Sequence, residues 1–390
     1  MPVGATIPEA QRLPARTPFA EMDVGAHRVA LLRDGAQAFP SMLAAIASAR
    51  STICLETYIL RADKIGQLFA DALAERARAG VEVNVIYDAW GTSLPGEYLD
   101  FLHAAGVRTV AFHPVRFVGN ARALVGRLVR RDHRKTLVVD SRVGFTGGIN
   151  ISDDYAAAED GGGGWRDTHL RLEGPAALEL QYFFRIAWRR AHGPPLDERR
   201  YGSDGRRPDP LLSIASSHLR RSRSDIRQAY RHAIRGARHR VWITNAYFLP
   251  QIRFLRALTG AAERGVDVRV MVAGTTDVPA VLFASRSIYD ALLAAGVRLY
   301  EWEGRVLHAK TAVIDERWAT VGSSNLDQQS LRQNLEANAI VRDVPFAAAM
   351  ERMFVEDLAS CREISAERWQ HRPAWLRAAS WGAYLLRRWL

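Results

Sequence analysis

The pattern HRKTLVVDSRVGFTGGIN at 133–150 returns as HAKTAVIDERWATVGSSN at 308–325. Each copy has a histidine, a lysine two residues later, an aspartate five residues after the lysine, and a small-residue turn that ends at an asparagine. A single His-x-Lys pair carries little information, but recurrence of the whole pattern 175 residues later is improbable by chance. The recurrence predicts a duplicated domain and one site built from two halves.

The duplication extends outside the two motifs. VEVNVIY at 81–87 matches VDVRVMV at 266–272, and TYIL at 57–60 matches AYFL at 246–249. Short apolar runs that alternate with amphipathic helices predict an α/β fold, in which helices cover a sheet on both faces. Each predicted helix ends at a glycine, the residue that most readily adopts the left-handed conformation of a helix C-terminus. These glycines are Gly80, Gly106, Gly265 and Gly296.

Length and composition predict where the domains begin and end. A chain of 390 residues suggests two to three domains, and the Pro-, Gly- and charge-rich stretch at 193–210 is typical of a linker. We therefore predict an N-terminal extension (1–25), a first domain (26–195), a linker (196–212), a second domain (213–365) and a C-terminal amphipathic helix (366–390).

The basic residues of the chain are unusual. The net charge of +11 suits nucleic acid or an anionic membrane, and charge alone does not choose between them. The chain has 50 arginines and only three lysines, which are Lys64, Lys135 and Lys310. Two of the three fall in the doubled motif, which indicates that both motif positions need a compact ammonium group.

Several classes of protein are disfavoured by composition. Nearly half of the residues are hydrophobic, so the chain can bury sizeable cores and is not expected to be disordered. Two cysteines, Cys54 and Cys361, are too few for a disulfide framework, which favours a reducing compartment. We find no signal-peptide pattern and no apolar run long enough to span a bilayer.

The motif residues have the chemistry of phosphodiester transfer. One neutral imidazole can attack phosphorus, while a second protonates the leaving alkoxide and deprotonates the incoming alcohol or water. Lysine and asparagine side chains can stabilise charge on the non-bridging oxygens, and small residues let the backbone approach them. We predict His133, Lys135, His308 and Lys310 as catalytic residues, with Asn150, Asn325, Gly148 and Ser323 at the substrate phosphate. Neither a metal nor a cofactor is expected, because no cluster with ligand spacing surrounds the histidines.

Two kinds of acidic residue have different predicted roles. Asp140 and Asp315 end strands seven residues after each histidine, on the opposite face, so we predict that they are structural. Asp167 in WRDTHLRL and Glu336 in NLEAN are better candidates to orient the imidazoles. A carboxylate that accepts from one ring nitrogen fixes the tautomer and leaves the other nitrogen available.

The doubled motif resembles the phospholipase D superfamily. RRDHRKTLVVDSRVGFTGGINISDDY at 130–155, WRDTHLRLEGPAALELQ at 165–181 and NAYFLP at 245–250 resemble its cardiolipin synthase branch. The resemblance implies duplicated α/β/α sandwich domains, related by a pseudo-twofold axis, with one shared active site at their interface. It also implies that the reaction passes through a covalent phosphatidyl-histidine intermediate.

The resemblance also implies a role for each site residue. His133 is then the nucleophile and His308 the general acid and base. Glu336 would support His133, and Asp167 would support His308. The chain departs from strict symmetry at Gly148, which stands where the second motif has Ser323, so that one hydroxyl donor is lost.

A membrane surface is the partner that the resemblance implies. Many bacterial relatives begin with two transmembrane helices, and this sequence shows none, so it resembles a shorter peripheral form at the cytoplasmic face of the bacterial inner membrane. PAWLRAASWGAYLLRRWL at 373–390 predicts an amphipathic helix suited to an anionic phospholipid surface, although a helix packed on the domain has the same pattern. The predicted membrane contacts are Trp375, Trp381, Arg387, Arg388 and Trp389.

Together with this resemblance, the motif chemistry predicts a phosphatidyl transferase. It would make cardiolipin from phosphatidylglycerol and a second phospholipid. The alternatives are a phospholipase D-type hydrolase, a phosphodiesterase or nuclease acting on nucleic acid, and a membrane scaffold with an inactive site. The apolar, Trp-rich tail and the lack of a basic groove interleaved with aromatic residues favour lipid, so no nucleic acid is expected. The sequence does not define an oligomeric state.

Overall fold

The computed structural model describes residues 13–114, 130–201, 208–217, 225–276, 278–373, 376, 380 and 382–383. Contacts divide the chain into two compact units: Met1–Gly164 with His169–Asp209, and Trp165–Thr168 with Pro210–Leu390. The short stretch Trp165–Thr168 therefore packs with the second unit, although the sequence on both sides of it belongs to the first. The five predicted membrane contacts, from Trp375 to Trp389, lie outside the described residues.

The first unit contains an eight-stranded mixed sheet with the order β1-β2-β8-β7-β6-β3-β4-β5. Its strands are β1 (Ala20–Val24), β2 (His27–Arg33), β3 (Thr52–Thr57), β4 (Glu82–Asp88), β5 (Arg108–Phe112), β6 (Thr136–Val139), β7 (Val143–Gly147) and β8 (Thr168–Glu173). Its helices are α1 (Asp34–Ser48), α2 (Lys64–Arg78), α3 (Gly96–Ala104) and α4 (Pro175–Arg190), with short 3-10 turns at Asp153–Tyr155, Ala158–Asp160 and Glu198–Arg200. The strands β3, β4 and β5 are parallel, whereas β6, β7 and β8 form an antiparallel meander.

The second unit also contains an eight-stranded sheet, with the order β16-β12-β11-β10-β13-β14-β15-β9. Its strands are β9 (Leu212–Ser216), β10 (Arg240–Asn245), β11 (Asp267–Ala273), β12 (Arg298–Trp302), β13 (Lys310–Ile314), β14 (Trp318–Gly322), β15 (Ala337–Arg342) and β16 (Cys361–Glu363). Its helices are α5 (Asp225–Gly236), α6 (Ile252–Glu263), α7 (Pro279–Arg286), α8 (Tyr289–Ala294), α9 (Gln328–Arg332), α10 (Val344–Leu358) and α11 (Ala366–Gln370).

The two sheets repeat one topology. The strand order β2-β8-β7-β6-β3-β4-β5 corresponds to β9-β15-β14-β13-β10-β11-β12, so each motif strand, β6 or β13, pairs with the first strand of a parallel β-α-β unit. β1 is additional in the first sheet and β16 in the second. The predicted duplicated α/β fold is confirmed. No helix among the described residues is both long enough and apolar enough to cross a membrane.

The match between TYIL and AYFL needs a correction of one residue. Past the end of β3, Leu60 forms a bridge with Ile151, and past the end of β10 the corresponding bridge joins Phe248 to Leu326. Since Ile151 and Leu326 each follow the motif asparagine, Leu60 corresponds to Phe248 and not to Leu249. The two tyrosines of these segments therefore occupy neighbouring, non-equivalent positions. Sequence similarity alone aligned them because both segments contain the same side chain.

The four predicted helix-ending glycines have positive φ values between 85° and 91°. At Gly80, the next residue donates its N–H to the carbonyl of Arg76, and Val266 donates to Ala261 in the same way after Gly265. This is the hydrogen-bond pattern of a Schellman motif, which needs a left-handed residue. The predicted helix ends are confirmed.

The apolar face of α5 packs into the core of the second unit. Ile226, Tyr230 and Ile234 are fully buried at four-residue intervals, which places them along one stripe of the helix. Phe254 and Leu258 of α6 belong to the same core. Because the core fixes this face inward, residues one position further along α5 lie beside the core stripe, towards the surface.

Candidate active site

The histidine of the second motif is hydrogen-bonded to Asp167, the carboxylate that we expected to support it. His308 lies two residues before β13, and its Nδ1 is 2.7 Å from Oδ2 of Asp167. Both residues are buried, with 5% of His308 and none of Asp167 exposed. The predicted contact between Asp167 and His308 is present in the second unit.

The position of Asp167 is fixed by its neighbours in the chain. Arg166 pairs with Leu307 as in a parallel sheet, and its carbonyl accepts the N–H of His308 at 2.8 Å. The Arg166 guanidinium also forms a buried ion pair with Asp357 of α10 at 2.7 Å. Breaking a buried ion pair leaves an uncompensated charge, so this pair anchors the segment that carries Asp167.

The environment of Asp167 keeps it ionised. Burial acts to raise its pKa, but the hydrogen bond and charge of His308 and the charge of Lys310 outweigh burial, so the pKa lies below its usual value. The second carboxylate oxygen accepts the N–H of Thr168 at 2.7 Å. An ionised Asp167 requires a proton on Nδ1 of His308, which leaves Nε2 available for proton transfer.

Three further side chains define the surroundings of His308. Lys310 is fully buried and its ammonium donates to the carbonyl of His308. The ring of Trp165 lies 5.8 Å from the imidazole, and the ring of Tyr247 lies 6.3 Å from it at 90°. Neither aromatic residue was among the predicted site residues. The sequence contained one indication for Trp165, because it precedes the predicted site residue Asp167 by two positions.

The small-residue turn of the second motif binds the other predicted carboxylate. The Ser323 hydroxyl donates to Oε2 of Glu336, and both residues are fully buried. Glu336 lies directly before β15, as Asp167 lies directly before β8. Asn325 is buried, and its side-chain oxygen has no hydrogen-bond partner among the described residues. Burial, with the charge of Glu336, raises the pKa of nearby Asp327 to about 7.

The first motif places its histidine and lysine beside an aromatic ring. His133 is 8% exposed and Lys135 is 2% exposed, both just before β6. The ring of Tyr58 lies edge-on to the imidazole at 4.9 Å and under the Lys135 ammonium at 5.2 Å. The ammonium donates to the carbonyl of His133 at 2.6 Å, as Lys310 does to His308. Each lysine thus stays next to its histidine.

Both the oxygen and the nitrogen of the Asn150 side chain form hydrogen bonds. Its oxygen accepts the N–H of Ile59 at 3.1 Å, and its nitrogen donates to the hydroxyl of Tyr155 at 2.7 Å. These two hydrogen bonds use one of the two amide hydrogens. Gly148 is buried in the same turn.

A network of buried charges supports the first motif, and sequence reasoning missed it. Arg134, the residue after His133, forms buried ion pairs with Glu56 at 3.1 Å and with Asp132 at 3.3 Å. Burial, opposed by Arg134 and assisted by Asp132, raises the pKa of Glu56 well above its usual value. Asp88 accepts the N–H of Asp132, and burial raises its pKa to about 6 despite the charge of Arg131.

The two motif aspartates hold backbone turns. Asp140 accepts from the N–H groups of Arg50, Ser51 and Thr52, and Asp315 accepts from those of Arg238, His239 and Arg240. Each follows its strand with a positive φ, 51° and 49°. These contacts are of the structural kind that we predicted. Within the described part of the chain, no group of three or more His, Cys, Asp or Glu has the arrangement of a metal site.

The fold and the surroundings of the two motifs define the class of protein. The model of the family described as "Cardiolipin synthase, PLD-like domain" matches residues 42–160 and 230–358. The chain is 36% identical to a cardiolipin synthase of Geobacillus kaustophilus (strain HTA426), over 91% of this chain and 70% of the relative. It is 33% identical to the major cardiolipin synthase ClsA of Bacillus subtilis (strain 168), over 90% of this chain and 72% of the relative.

Solved structures agree on the fold. The chain is similar to a phosphatidylserine synthase of Haemophilus influenzae Rd KW20, with a TM-score of 0.74, 13% identity, and coverage of 96% and 97% of the two chains. It is also similar to a polyphosphate kinase of Porphyromonas gingivalis, with a TM-score of 0.59, 16% identity, and coverage of 92% and 52%. At these identities the likeness concerns the fold alone.

The chain belongs to the cardiolipin synthase family with phospholipase D-like domains. The predicted membership of the phospholipase D superfamily, the predicted duplicated fold and the prediction of a cardiolipin synthase-like phosphatidyltransferase are thereby confirmed.

Proposed function

We propose that the protein makes cardiolipin by transferring a phosphatidyl group from phosphatidylglycerol to a hydroxyl of a second phospholipid. The observation that carries the proposal is the buried pair of His308 and Asp167, because it is a proton-transfer unit built to keep one imidazole nitrogen available. Membership of the cardiolipin synthase family supports the choice of substrates.

In the first step of the proposed reaction, His133 attacks the phosphorus of the donor lipid. A nitrogen–phosphorus bond forms, the bond from phosphorus to the glycerol oxygen breaks, and His308 gives its Nε2 proton to that oxygen. Glycerol leaves and a phosphatidyl-histidine remains. The proposal requires both imidazoles to reach the same phosphodiester.

In the second step, the acceptor lipid resolves the intermediate. Its hydroxyl loses a proton to His308 and attacks phosphorus, and the bond to His133 breaks. Water in place of the lipid hydroxyl would give phosphatidic acid instead. Exclusion of water from the site therefore decides between transfer and hydrolysis.

The remaining predicted residues have supporting roles in the proposal. Lys135 and Lys310, which are buried next to their histidines, would stabilise charge on the non-bridging oxygens. Asn150 and Asn325 would donate amide hydrogens to the same oxygens, with Gly148 and Ser323 leaving room for the phosphate. We assign Glu336 to His133 as the counterpart of Asp167. The enzyme would work on an anionic phospholipid surface, at the cytoplasmic face of the inner membrane.

The test is a lipid conversion assay on the intact chain. Vesicles of phosphatidylglycerol should yield cardiolipin and glycerol, detected by mass, and His133→Ala should lower the rate by at least about ten-thousandfold. His308→Ala should let a brief burst of lipid-labelled protein build up, with the label stable in base and released in acid. Production of phosphatidic acid alone would replace transfer by hydrolysis. Undiminished cardiolipin synthesis by His133→Ala would refute the proposed nucleophile.

A further inference from the structure

One corner of each unit, next to the bridge that follows β3 or β10, differs in charge between the two units. Leu60 and Phe248 are equivalent bridge residues. Three residues after them, Asp63 of the first unit corresponds to Gln251 of the second. The bridge partners of Leu60 and Phe248 are Ile151 and Leu326. Two residues after these partners, Asp153 corresponds to Gln328. Two carboxylates of the first unit are thus neutral amides in the second.

In the first unit the two carboxylates close the start of α2. Asp63 accepts the N–H of Gly66 at 2.9 Å, and Asp153 accepts the N–H of Ile65 at 2.8 Å. The other oxygen of Asp63 binds the backbone of Asp153 at 2.8 Å. This corner therefore contains its own anions, which complement the positive end of the helix.

In the second unit the start of α6 has no such anion. Gln251 precedes the helix and makes no side-chain cap. Its side-chain nitrogen is buried and has no hydrogen-bond partner among the described residues. A donor in this situation is satisfied when an external acceptor binds.

Arginines replace apolar residues around the same corner. Asp140 accepts the N–H of Arg50 and Asp315 accepts that of Arg238, so Arg50 and Arg238 are equivalent positions. Eleven residues before them Phe39 corresponds to Arg227, and seven residues before them Leu43 corresponds to Arg231. Phe39 is buried and packs edge-on against Phe69 at 5.7 Å. The first unit fills this corner with core side chains, whereas the second surrounds it with guanidinium groups.

The exchange leaves an open cavity of about 520 Å³ in the second unit. Its basic lining consists of Arg227, Arg231, Arg253 and Arg332. Burial, and then the positive charges of the other three, lower the pKa of Arg227. Among the described residues, no carboxylate forms an ion pair with Arg231, Arg253 or Arg332. A neighbouring recess of about 400 Å³ shares Arg231 and Arg253.

We propose that this cavity binds the phosphate group of an anionic phospholipid, at a site separate from both His-x-Lys motifs. Guanidinium groups offer forked donors that match phosphate oxygens. Besides the amides of Gln251 and Gln328, the wall has an apolar part, which includes Leu249, Pro250 and Phe254 and suits the glycerol and the first acyl carbons. Ile252, which also lines the cavity, is 60% exposed, as expected for a residue at a membrane interface. The proposal rests on the proposed function only in taking a lipid as the ligand.

The test compares two double variants of the full chain. R231Q/R253Q should bind phosphatidylglycerol vesicles at least about tenfold more weakly than the unaltered protein, because two basic contacts to an anionic surface are lost. R317Q/R352Q removes the same charge from exposed positions outside the cavity and should bind nearly normally. Equal losses for both variants would overturn the site, since general charge attraction would then explain binding.

A second variant restores the carboxylate of the first unit. Gln328→Asp should place an anion among the arginines, weaken vesicle binding, and leave the melting temperature equal or higher. Unchanged vesicle binding by Gln328→Asp would contradict the proposal. Inorganic phosphate should displace the vesicles only weakly. Displacement at micromolar phosphate would mean that the site takes free phosphate and not a lipid headgroup.

The catalytic proposal and the cavity proposal would be contradicted by different results. His133→Ala should lose nearly all turnover and still bind vesicles, so that undiminished turnover counts against the proposed chemistry alone. R231Q/R253Q should lose vesicle binding, so that normal binding counts against the cavity alone. If this variant lost affinity for a duplex oligonucleotide while its vesicle binding stayed normal, the partner would be nucleic acid and the lipid proposal would be wrong.

Discussion

The two motifs have the same spacing but different surroundings. In the second, Asp167 binds the imidazole of His308 from the same compact unit, and the oxygen of Asn325 has no partner among the described residues. In the first, Asn150 is bonded on both sides of its amide, to Ile59 and Tyr155. The shared pattern therefore sets the positions of four side chains, while residues outside the pattern decide what each one does.

The largest effect within this comparison is expected at Asp167. Asp167→Asn should lower kcat by about a thousandfold, because the amide no longer favours the Nδ1–H tautomer or stabilises the imidazolium. The pH–rate profile should move as well, since His308 loses the carboxylate that favours its protonated form. A merely structural role would leave that profile in place.

Controls for Asp167 come from the same position. Asp167→Glu should recover part of the rate, because the carboxylate is kept and only its reach changes. Glu336→Gln tests the assignment to the other half and should give a loss of similar size. An effect of Glu336→Gln on thermal stability alone, through the lost bond from Ser323, would separate the two carboxylates in function.

The two lysines are expected to have the next largest effect. Lys310→Arg and Lys135→Arg should each lower kcat by about a hundredfold, the scale for loss of one preorganised donor. Each ammonium is buried and donates to its own histidine carbonyl, and a planar guanidinium does not fit that geometry. Lys64→Arg, at an exposed position outside both motifs, is the matched control. If Lys64→Arg lowered kcat as much as the motif variants, the loss would come from exchanging lysine for arginine anywhere in the chain and not from the motif positions.

Much of this site could be predicted because it depends on spacing within one segment. His and Lys two residues apart, the aspartate after the strand, and the glycines at helix ends all follow from local geometry. The buried network around Glu56 and Arg134 could not be predicted in this way. Its members meet because β3 pairs with β6, and Thr136, which also binds Glu56, is 80 residues away in sequence.

Two further features depended on tertiary structure. The non-equivalence of Tyr58 and Tyr247 follows from a one-residue shift in the bridge after each strand, which repeated letters cannot show. The anchoring of Asp167 depends on an ion pair between Arg166 and Asp357, separated by 191 residues. Neither partner belongs to a motif, so only the folded chain brings them together.

The asparagines should separate stability from binding. Asn150→Ala should lower the free energy of unfolding by about 2 kcal/mol, because the N–H of Ile59 and the hydroxyl of Tyr155 both lose a buried partner. Asn325→Ala should instead raise KM, with little change in unfolding. Urea unfolding and steady-state kinetics on both variants give the comparison. The reverse pattern would show that folding depends on Asn325 and that Asn150 acts through substrate binding alone.

The smallest effect on activity is expected at the motif aspartates, where substitution should change stability alone. Asp315→Ala should cost about 2 kcal/mol at neutral pH, because three N–H groups lose a charged acceptor. Burial acts to raise the pKa of Asp315, but these N–H groups outweigh it and the pKa is lowered. Its contribution is therefore fully present above about pH 3.9, the pKa of an unfolded aspartate, and is lost as the pH falls through the lower folded value.

Urea unfolding of Asp315→Ala and the unaltered protein across that pH range tests this step. The difference in the free energy of unfolding should be constant from neutral pH down to about pH 4 and shrink below it. Because Asp140 binds three N–H groups in the same arrangement, Asp140→Ala should cost a similar amount at neutral pH. A difference that persisted unchanged in acid would mean that Asp315 acts through packing and not through its charge. If the difference for Asp140→Ala did shrink in acid, the two aspartates would occupy matched positions in the motif and still stabilise the fold in different ways.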